Sequence, residues 1–205
     1  MSAAAPICLA LTGASGMAYG LRLLECLLHA GQRVQLVYSQ AAQIVARQEM
    51  DLELPSRPSE ARSALLAHFP KADGSLLEVF GREEWFAPIA SGSNPPQAMV
   101  VCPCTMGTLA AIAQGLSDNL IERAADVVLK EGRKLILVPR EAPFSVLHLE
   151  NMLRLARAGA VILPPSPGFY HRPQSVADMV DFVVARVLDQ LHIPHQLYSP
   201  WGAGD

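Results

Sequence analysis

The chain has 205 residues, of which 51% are hydrophobic and 17% are charged, and its formal net charge is −3 at pH 7. A negative chain without a basic stripe excludes a typical nucleic-acid-binding protein, because nothing is there to neutralise phosphates. No run reaches the ~18 apolar residues that a membrane-spanning helix needs, so the surplus apolar surface predicts burial between the subunits of a homo-oligomer.

The cysteine pattern and the start of the chain indicate a cellular compartment. Four cysteines are too few and too unevenly spaced for a disulfide framework. The opening residues, MSAAAPICLALTG, lack the basic and long apolar segments of a secretion signal. We therefore expect a protein of the reducing cytoplasm.

In chain order, predicted strands alternate with predicted helices. ICLALT (7–12) predicts a strand, and the GASG turn leads into a helix that Gly31 ends. RVQLVY (33–38) predicts the next strand. Ser39 is a plausible N-cap for a helix that runs to about Glu49.

The middle of the chain departs from this alternation of strands and helices. Residues 50–97 are rich in proline, serine and glycine, and we expect one short helix and one short strand, LLEVF, among irregular segments. We interpret this stretch as an excursion within one domain. At the other end, residues 194–205 are expected to form a C-terminal tail.

After the excursion the alternation resumes. AMVVC predicts a strand, PCTMGT a turn, and the next residues a helix that Gly115 ends, before a second helix over 118–131. KLILV predicts another strand, Ser145 a helix cap, and AVILP the last strand. Ser175 and Asp178 form a capping-box pattern that opens the final helix.

Strands that are apolar throughout and separated by helices are typical of a parallel sheet with helices on both faces. We therefore predict a single α/β domain over residues 1–205, doubly wound, with Rossmann-like or flavodoxin-like topology. Such sheets bind ligands beyond the carboxyl ends of their strands. Here those ends carry TGASG, Ser39, CPCT, PRE and PPSPGFY.

The TGASG turn resembles half of a dinucleotide-binding fingerprint but lacks the GxGxxG spacing. Gly13 permits a tight turn, Ser15 offers a hydroxyl, and the next helix would present free N–H groups to an anion. The segment is either a phosphate-binding turn or an ordinary connection. Ser39 stands where NAD would want an acidic residue, which counts against NAD and leaves FMN open.

Cys102 and Cys104 in CPCT allow three interpretations. A metal site would need more cysteines or histidines at suitable spacing, and a nucleophilic thiol would need a histidine base. We favour a tight turn whose backbone and Thr105 hydroxyl face a ligand, and we predict no metal site.

Several cations are candidates for binding a phosphate. Arg123 and Lys130 lie seven residues apart on one predicted helix and share a face, although their acidic neighbours fit a solvated helix equally well. Glu141 follows a buried strand in VPRE, where adjacent charges are either simply solvated or part of a site. Further phosphate-suited donors are Arg140, Tyr170 and Arg186.

Five stretches together resemble the UbiX-type flavin prenyltransferases: TGASGMAYGLRLL, MVVCPCTMGTLAAIA, DNLIERAADVVLKE, VPREAPFSVLHLENMLRL and LPPSPGFYHRPQSV. The resemblance covers nearly the whole chain in order and is weakest over 50–85. It implies a Rossmann-like protein that assembles as a dodecamer with FMN at subunit junctions. It also implies metal-independent transfer of a dimethylallyl group from dimethylallyl phosphate to N5 and then C6 of reduced FMN. The product would serve a UbiD-type decarboxylase, in bacteria often in ubiquinone synthesis.

Carried over by motif position, the resemblance implies three overlapping sets of residues. The flavin-contacting set is Gly13, Ala14, Ser15, Ser39, Cys102, Pro103, Cys104, Thr105 and Arg140. The prenyl-phosphate set is Arg123, which would come from a neighbouring subunit, with Lys130, Arg140, Glu141, Tyr170, Arg186 and Trp201. Ser15, Glu49 and Glu141 would manage protons, and Trp85 with Ala90 would line an apolar wall.

On this interpretation Arg140 would bind the departing phosphate as its charge develops, and Glu141 would exchange a proton with it or at ring closure. Many relatives carry a lysine where this chain has Gly107, and the positive charge of that lysine is therefore absent here.

One alternative is a flavin-dependent cysteine decarboxylase, which would need a catalytic histidine and an Asn-Met motif where PREAPF stands. Another is a non-catalytic flavin-binding subunit of a decarboxylase.

Overall fold

The computed structural model describes residues 5–198, and its strands and helices alternate as predicted. The strands of this part are β1 (Ile7–Leu11), β2 (Val34–Tyr38), β3 (Leu77–Phe80), β4 (Ala98–Cys104), β5 (Lys134–Pro139) and β6 (Val161–Ile162). The α-helices are α1 (Met17–His29), α2 (Gln40–Met50), α3 (Pro58–His68), α4 (Met106–Ala113), α5 (Leu120–Lys130), α6 (Val146–Arg157) and α7 (Val176–Leu191). Short 3₁₀ turns lie at Gly74–Leu76 and Pro88–Ala90.

The strands form one sheet in the order β3-β2-β1-β4-β5-β6, with every pair parallel. This is the strand order of the Rossmann fold, which reverses direction between β1 and β4 and binds ligands beside that switch point. The predicted doubly wound α/β class is therefore confirmed. Over residues 5–198, no helix combines the length and the apolar character that crossing a bilayer requires.

Helices cover both faces of the sheet because successive strand side chains point to opposite sides. On β1, Ile7, Leu9 and Leu11 join a core that includes buried residues of α1, α2, α3 and α7. Cys8 and Ala10 point the other way, into a core formed with α4, α5 and α6. All five β1 residues are fully buried, which explains why the strand is apolar without alternation.

One local feature differs from the prediction, and another confirms it. The segment PCTMGT, predicted as a turn, begins as strand, because β4 continues to Cys104 and only then does Thr105 cap α4. Proline is unusual in a central strand, and here the pairing of β4 with β5 is irregular between Val101 and Cys104, where Pro103 lies. In the 50–97 excursion, the predicted LLEVF strand is β3, which pairs with β2 and forms one edge of the sheet.

Gly20 sets how closely α1 approaches the sheet. A Cβ there would lie 2.3 Å from the Cys102 carbonyl oxygen and 2.7 Å from Leu11 Cδ2. We expect Gly20→Ala to destabilise the fold by about 1–3 kcal/mol through overpacking. The matched control is Gly107→Ala, since a Cβ at Gly107 meets nothing closer than Thr105 Oγ1 at 4.0 Å. That change is expected to be neutral or to stabilise by up to about 1 kcal/mol. Chemical denaturation compares the two, and equal losses would contradict the close approach.

Candidate functional site

The carboxyl ends of the central strands are tied together at the switch point. The Ser39 N–H donates to the Leu11 carbonyl (3.0 Å), which joins the ends of β2 and β1. The Arg140 N–H donates to the Cys104 carbonyl (3.2 Å), which joins the ends of β5 and β4. Four of the five predicted strand-end segments therefore lie on one rim, as the parallel sheet requires.

Thr12, which was not predicted from the sequence, holds this rim together. Its side chain is 1% exposed. The hydroxyl donates to the Pro103 carbonyl (2.8 Å) and accepts from the Thr105 N–H (2.8 Å). A hydroxyl at the end of an otherwise apolar strand was the signal for it. Thr12 thus fixes the backbone of the Cys102–Thr105 segment beside TGASG.

Cys102 and Cys104 lie inside the sheet, not on the ligand side of the rim. They are 1% and 0% exposed, and burial raises the pKa of the Cys104 thiol to about 12 and that of Cys102 further still. A thiol that resists ionisation is a poor nucleophile and a poor metal ligand. The segment is strand up to Cys104, not the tight turn that was predicted, and the contact of its backbone and of the Thr105 hydroxyl with a ligand stays a prediction.

Thr105 and Ser39 act as helix caps. Thr105 Oγ1 accepts from the Thr108 N–H (3.1 Å) and donates to the Thr108 hydroxyl (2.9 Å). Ser39 Oγ accepts from the Ala42 N–H (3.1 Å), as predicted. Both residues stand at helix N-termini on the rim, so the two helices direct their positive ends toward this edge.

Gly13 and Ala14 have no polar side chain, so any contact with a ligand runs through their backbone. A Cβ on Gly13 would lie 2.3 Å from Ala41 Cβ, which shows that the residue also lets α2 pack against the turn. Ala14 is 5% exposed. The turn is therefore shaped by close packing as much as by any ligand.

The N-terminus of α1 already binds an anion, the side chain of Glu49. Its Oε2 accepts from the Gly16 N–H (2.9 Å) and the Met17 N–H (2.9 Å). Gly16 has φ 109°, a conformation that favours glycine. The expectation that this helix presents free N–H groups to a bound phosphate was therefore wrong for these two donors.

Ser15, Glu49 and Arg140 form what we call the rim cluster. Partial burial disfavours the charged Glu49 carboxylate, but hydrogen bonds from the Ser15 hydroxyl and the Gly16 and Met17 N–H groups, with the nearby Arg140 charge, outweigh it and lower its pKa. Arg140 Nε also donates to the Ser15 carbonyl (3.3 Å). The resemblance assigned Ser15 and Arg140 to the flavin, and Ser15 and Glu49 to proton management, and the fold brings these three residues together.

We expect the ionised Glu49 carboxylate to stabilise the fold. Since its folded-state pKa is lowered, this contribution is present above the unfolded value of about 4.3 and is lost as the pH falls through the folded-state pKa. Glu49→Gln should lower the apparent unfolding temperature by about 1–4 °C at pH 7, with the gap closing in acid. The exposed Glu53→Gln serves as the control, and a gap independent of pH would refute the idea.

Glu141 follows Arg140 at the end of β5. Its side chain is exposed, and Oε1 accepts from the N–H of the next residue, Ala142 (3.1 Å). The carboxyl group is thus held by its own backbone at the rim, next to the rim cluster. Arg140 and Glu141, the two adjacent charges after the buried strand β5, therefore both lie at the edge of the sheet where Rossmann folds bind ligands.

Arg123 and Lys130 contact the loop around the Pro88–Ala90 turn, and we call them the loop pair. Arg123 Nε donates to the Ala90 carbonyl (2.9 Å), and Nη1 donates to Asp126 (2.8 Å). Lys130 pairs with Glu131, and a Cβ on Gly92 would lie 2.5 Å from Lys130 Nζ. The two cations share a helix face, as predicted, and that face packs on the loop.

The loop that the pair contacts also carries the two residues of the expected apolar wall. Ala90 contributes its carbonyl to Arg123, and Trp85 is 46% exposed. Ala90 thus lies next to Arg123, and the contact of Trp85 and Ala90 with a prenyl group stays a prediction.

Arg186 on α7 and Tyr170, which precedes this helix and packs on its Phe182, form a third set, the α7 cluster. The Tyr170 ring lies edge-on to Phe182, with centroids 5.6 Å apart. Arg186 Nη1 donates to Asp189 Oδ2 (2.6 Å), and an interaction with Tyr198 raises the pKa of Arg186. Trp201, assigned to the same pocket, lies outside the described residues.

The candidate residues therefore fall into three sets within one chain: the rim cluster with Glu141, the loop pair, and the α7 cluster. Each set is held by its own local partners. In the part of the chain that the structure describes, no three histidine, cysteine, aspartate or glutamate side chains are grouped to hold a metal ion. The candidate residues themselves offer hydrogen bonding, positive charge and proton exchange.

Comparison with known proteins identifies the family. The Flavoprotein family model matches residues 1–188. The flavin prenyltransferase UbiX of Pseudomonas aeruginosa is 57% identical over 202 residues, which is 98% of this chain and 96% of that protein. UbiX of Methanothermobacter thermautotrophicus is 47% identical over 97% of this chain and 96% of that protein.

Comparison with solved structures indicates the same family. A crystal structure of AnUbiX (PadA1) in complex with FMN and dimethylallyl pyrophosphate superposes with a TM-score of 0.87, at 39% identity, covering 99% of this chain and 100% of that one. A dodecameric FMN-dependent UbiX-like decarboxylase from Escherichia coli has a TM-score of 0.85 at 41% identity, covering 97% and 100% of the two chains. An FMN-dependent cysteine decarboxylase is 21% identical and shares the fold alone, with a TM-score of 0.55 and coverage of 77% and 88%. The chain therefore belongs to the UbiX family of flavin prenyltransferases.

Proposed function

We propose that this protein transfers a dimethylallyl group from dimethylallyl phosphate to N5 and then C6 of reduced FMN. The observation that carries the proposal is the 57% identity to a flavin prenyltransferase over nearly the full length of both chains. The chemistry of the rim agrees with it, because cations, hydroxyls and a carboxyl group gather where a Rossmann sheet binds its ligands. The cysteine decarboxylase alternative has only a shared fold in its favour.

The rim has a donor set that fits FMN. Ser15 and Ser39 offer hydroxyls, Arg140 offers a guanidinium, and the Cys102–Thr105 backbone is fixed by Thr12. Gly107 leaves open space beside the start of α4, which a lysine would partly fill. Hydroxyls suit a ribityl chain and a guanidinium suits a phosphate. When bound, reduced FMN would supply the nucleophilic ring positions.

The prenyl-phosphate residues would act by binding the departing anion. Arg123, Lys130, Arg140 and Arg186 would together supply the positive charge that stabilises phosphate as the allylic C–O bond breaks. Glu141 would give a proton to the leaving phosphate or take one at ring closure, and Tyr170 would donate a hydrogen bond. An apolar wall from Trp85 and Ala90 would keep water from the allylic carbon.

We further propose that the site is completed by neighbouring subunits of a homo-oligomer, most simply a dodecamer. The Escherichia coli relative is described as dodecameric, and the loop pair and the α7 cluster have local partners distinct from those of the rim cluster. Exposed apolar residues on α6 offer a surface for such contacts: Val146, Leu147, Leu149 and Leu153 are each at least half exposed.

The prenylated FMN would pass to a UbiD-type decarboxylase, with ubiquinone synthesis as one pathway that uses it. We infer that the protein works in the cytoplasm. Its cysteines support this, because Cys8, Cys26, Cys102 and Cys104 are all free thiols, as expected in a reducing compartment.

An anaerobic assay tests the activity directly. Purified protein is incubated with reduced FMN and either dimethylallyl monophosphate or diphosphate, and the flavin is analysed by mass spectrometry. A mass gain of one C5 prenyl unit is expected, and the two donors are compared in separate reactions. An unchanged flavin, with FMN binding intact, would refute the transferase proposal and leave the non-catalytic carrier.

A further inference from the structure

We propose that Asp189 and His195 are positioning residues for Arg186, and that they fix its guanidinium for binding the phosphate of the prenyl donor. This inference rests on the proposed function, because it takes Arg186 as a phosphate ligand. Neither residue was predicted from the sequence, and neither would touch the reacting atoms.

Asp189 uses its two carboxylate oxygens for two different partners. Oδ2 accepts from Arg186 Nη1 (2.6 Å), and Oδ1 lies 3.0 Å from His195 Nε2. The His195 side chain is 14% exposed, whereas those of Arg186 and Asp189 are 48% and 37% exposed. The least exposed member thus anchors the carboxylate, and the carboxylate holds the more exposed guanidinium.

The hydrogen bonds of His195 define which ring nitrogen carries the proton. Nδ1 accepts from the Leu197 N–H (3.4 Å), so the proton lies on Nε2, which donates to Asp189 Oδ1. A neutral imidazole in this tautomer directs a donor at the carboxylate. The ring therefore orients Asp189 and leaves the carboxylate charge for Arg186.

The end of α7 brings His195 back over the helix. His192 takes the left-handed conformation (φ 58°) and its N–H donates to the Asp189 carbonyl (3.1 Å). The Ile193 N–H donates to the Leu188 carbonyl (3.0 Å), and the Ile193 side chain is 6% exposed in the core. This turn reverses the chain, so that a residue six positions after Asp189 contacts it.

Tyr198, which lies in the same segment after α7 as His195, also interacts with Arg186. Its ring stacks on His195, with centroids 6.1 Å apart and planes 29° apart, and its interaction with Arg186 raises the pKa of that guanidinium. Residues 193–198 therefore hold Arg186 both directly and through Asp189. This is more support than an isolated i,i+3 ion pair on a helix surface has.

Orientation matters because of how a guanidinium binds phosphate. Its five N–H donors lie in one plane, and two of them must face the anion together for bidentate binding. Asp189 engages the guanidinium through Nη1, which restricts rotation of the plane and leaves other donors for an anion. Without this restraint Arg186 would lose its preorganisation and bind the phosphate more weakly.

The test measures binding of dimethylallyl monophosphate by calorimetry to protein loaded with oxidised FMN, so that it does not depend on turnover. Asp189→Asn keeps the side-chain volume, and His195→Phe keeps the ring that stacks on Tyr198 but removes the donor. We expect each variant to bind the donor about tenfold more weakly, the lower end of losses seen when a partner that orients a metal ligand is removed. The double variant should bind no more than about twofold more weakly than Asp189→Asn, since both act through one residue.

The control is Glu60→Gln, which removes the i,i+3 partner of Arg57 on α3. It should bind both ligands like the wild type. FMN affinity and the apparent unfolding temperature are measured for every variant, to separate positioning from loss of the fold. Unchanged binding, tighter binding or additive losses in the double variant would each overturn the proposal. Failure of the wild type itself to bind the donor would instead refute the proposed function, and this inference with it.

Discussion

Glu141→Gln is expected to slow prenyl transfer by about 100-fold or more while leaving FMN affinity within about twofold. Glutamine keeps the shape and the oxygen that accepts from the Ala142 N–H, but it can neither give nor take the proton that the proposed reaction needs. The loss should therefore fall on kcat rather than KM. Single-turnover formation of prenylated FMN under anaerobic conditions measures it.

The matched control for this prediction is Glu150→Gln, an exposed carboxyl group on α6. It should transfer the prenyl group at the wild-type rate. Equal activity of Glu141→Gln and the wild type would show that Glu141 is a solvated charge at the end of a strand. A loss confined to KM would assign Glu141 to binding of the donor and not to proton transfer.

Two inactive variants are expected to restore each other when they are assembled together. If Arg123 and Arg140 reach one site from different subunits, Arg123→Met and Arg140→Met should each lose about 100- to 1,000-fold in rate when pure. A site in a mixed assembly is complete when one subunit retains Arg123 and its neighbour retains Arg140. Random mixing in equal amounts therefore predicts recovery of about one quarter of wild-type activity.

The experiment uses co-expression of the two variants with different affinity tags and purification of assemblies that carry both. Arg140→Met combined with Glu141→Gln is the control, because neighbouring residues at the end of β5 must come from one subunit. That pair should show no recovery. Absence of recovery with Arg123→Met as well would refute the intersubunit site and require one chain to supply both cations.

These predictions depend on residues that sequence reasoning located only in part. Arg140, Ser15 and Ser39 were found because each follows an apolar strand, and strand ends of a parallel sheet share an edge. Thr12 was overlooked, although it joins segments 91 residues apart in sequence. Asp189 and His195 were not predicted from the sequence, because only the turn at His192 brings them together.

The sequence by itself determined the alternation of strands and helices, the caps at Ser39, Ser145 and Ser175, and the class of the fold. These features depend on periodicity and on residues within a few positions of each other, which a linear pattern records directly. A family resemblance in five long motifs then indicated the chemistry. The 57% identity to a flavin prenyltransferase, over nearly the full length of both chains, agrees with it.

Only the tertiary structure decided the strand order, the continuation of β4 through Pro103, and the use of the α1 N-terminus by Glu49. The contact between Glu49 and the Gly16 N–H joins groups 33 residues apart, and no local sequence feature of either residue predicts the other as its partner. It also decided that the candidate cations lie in three separately held sets. Contacts of this kind follow from the way whole layers pack, since the position of each side chain depends on helices and strands far away in the sequence.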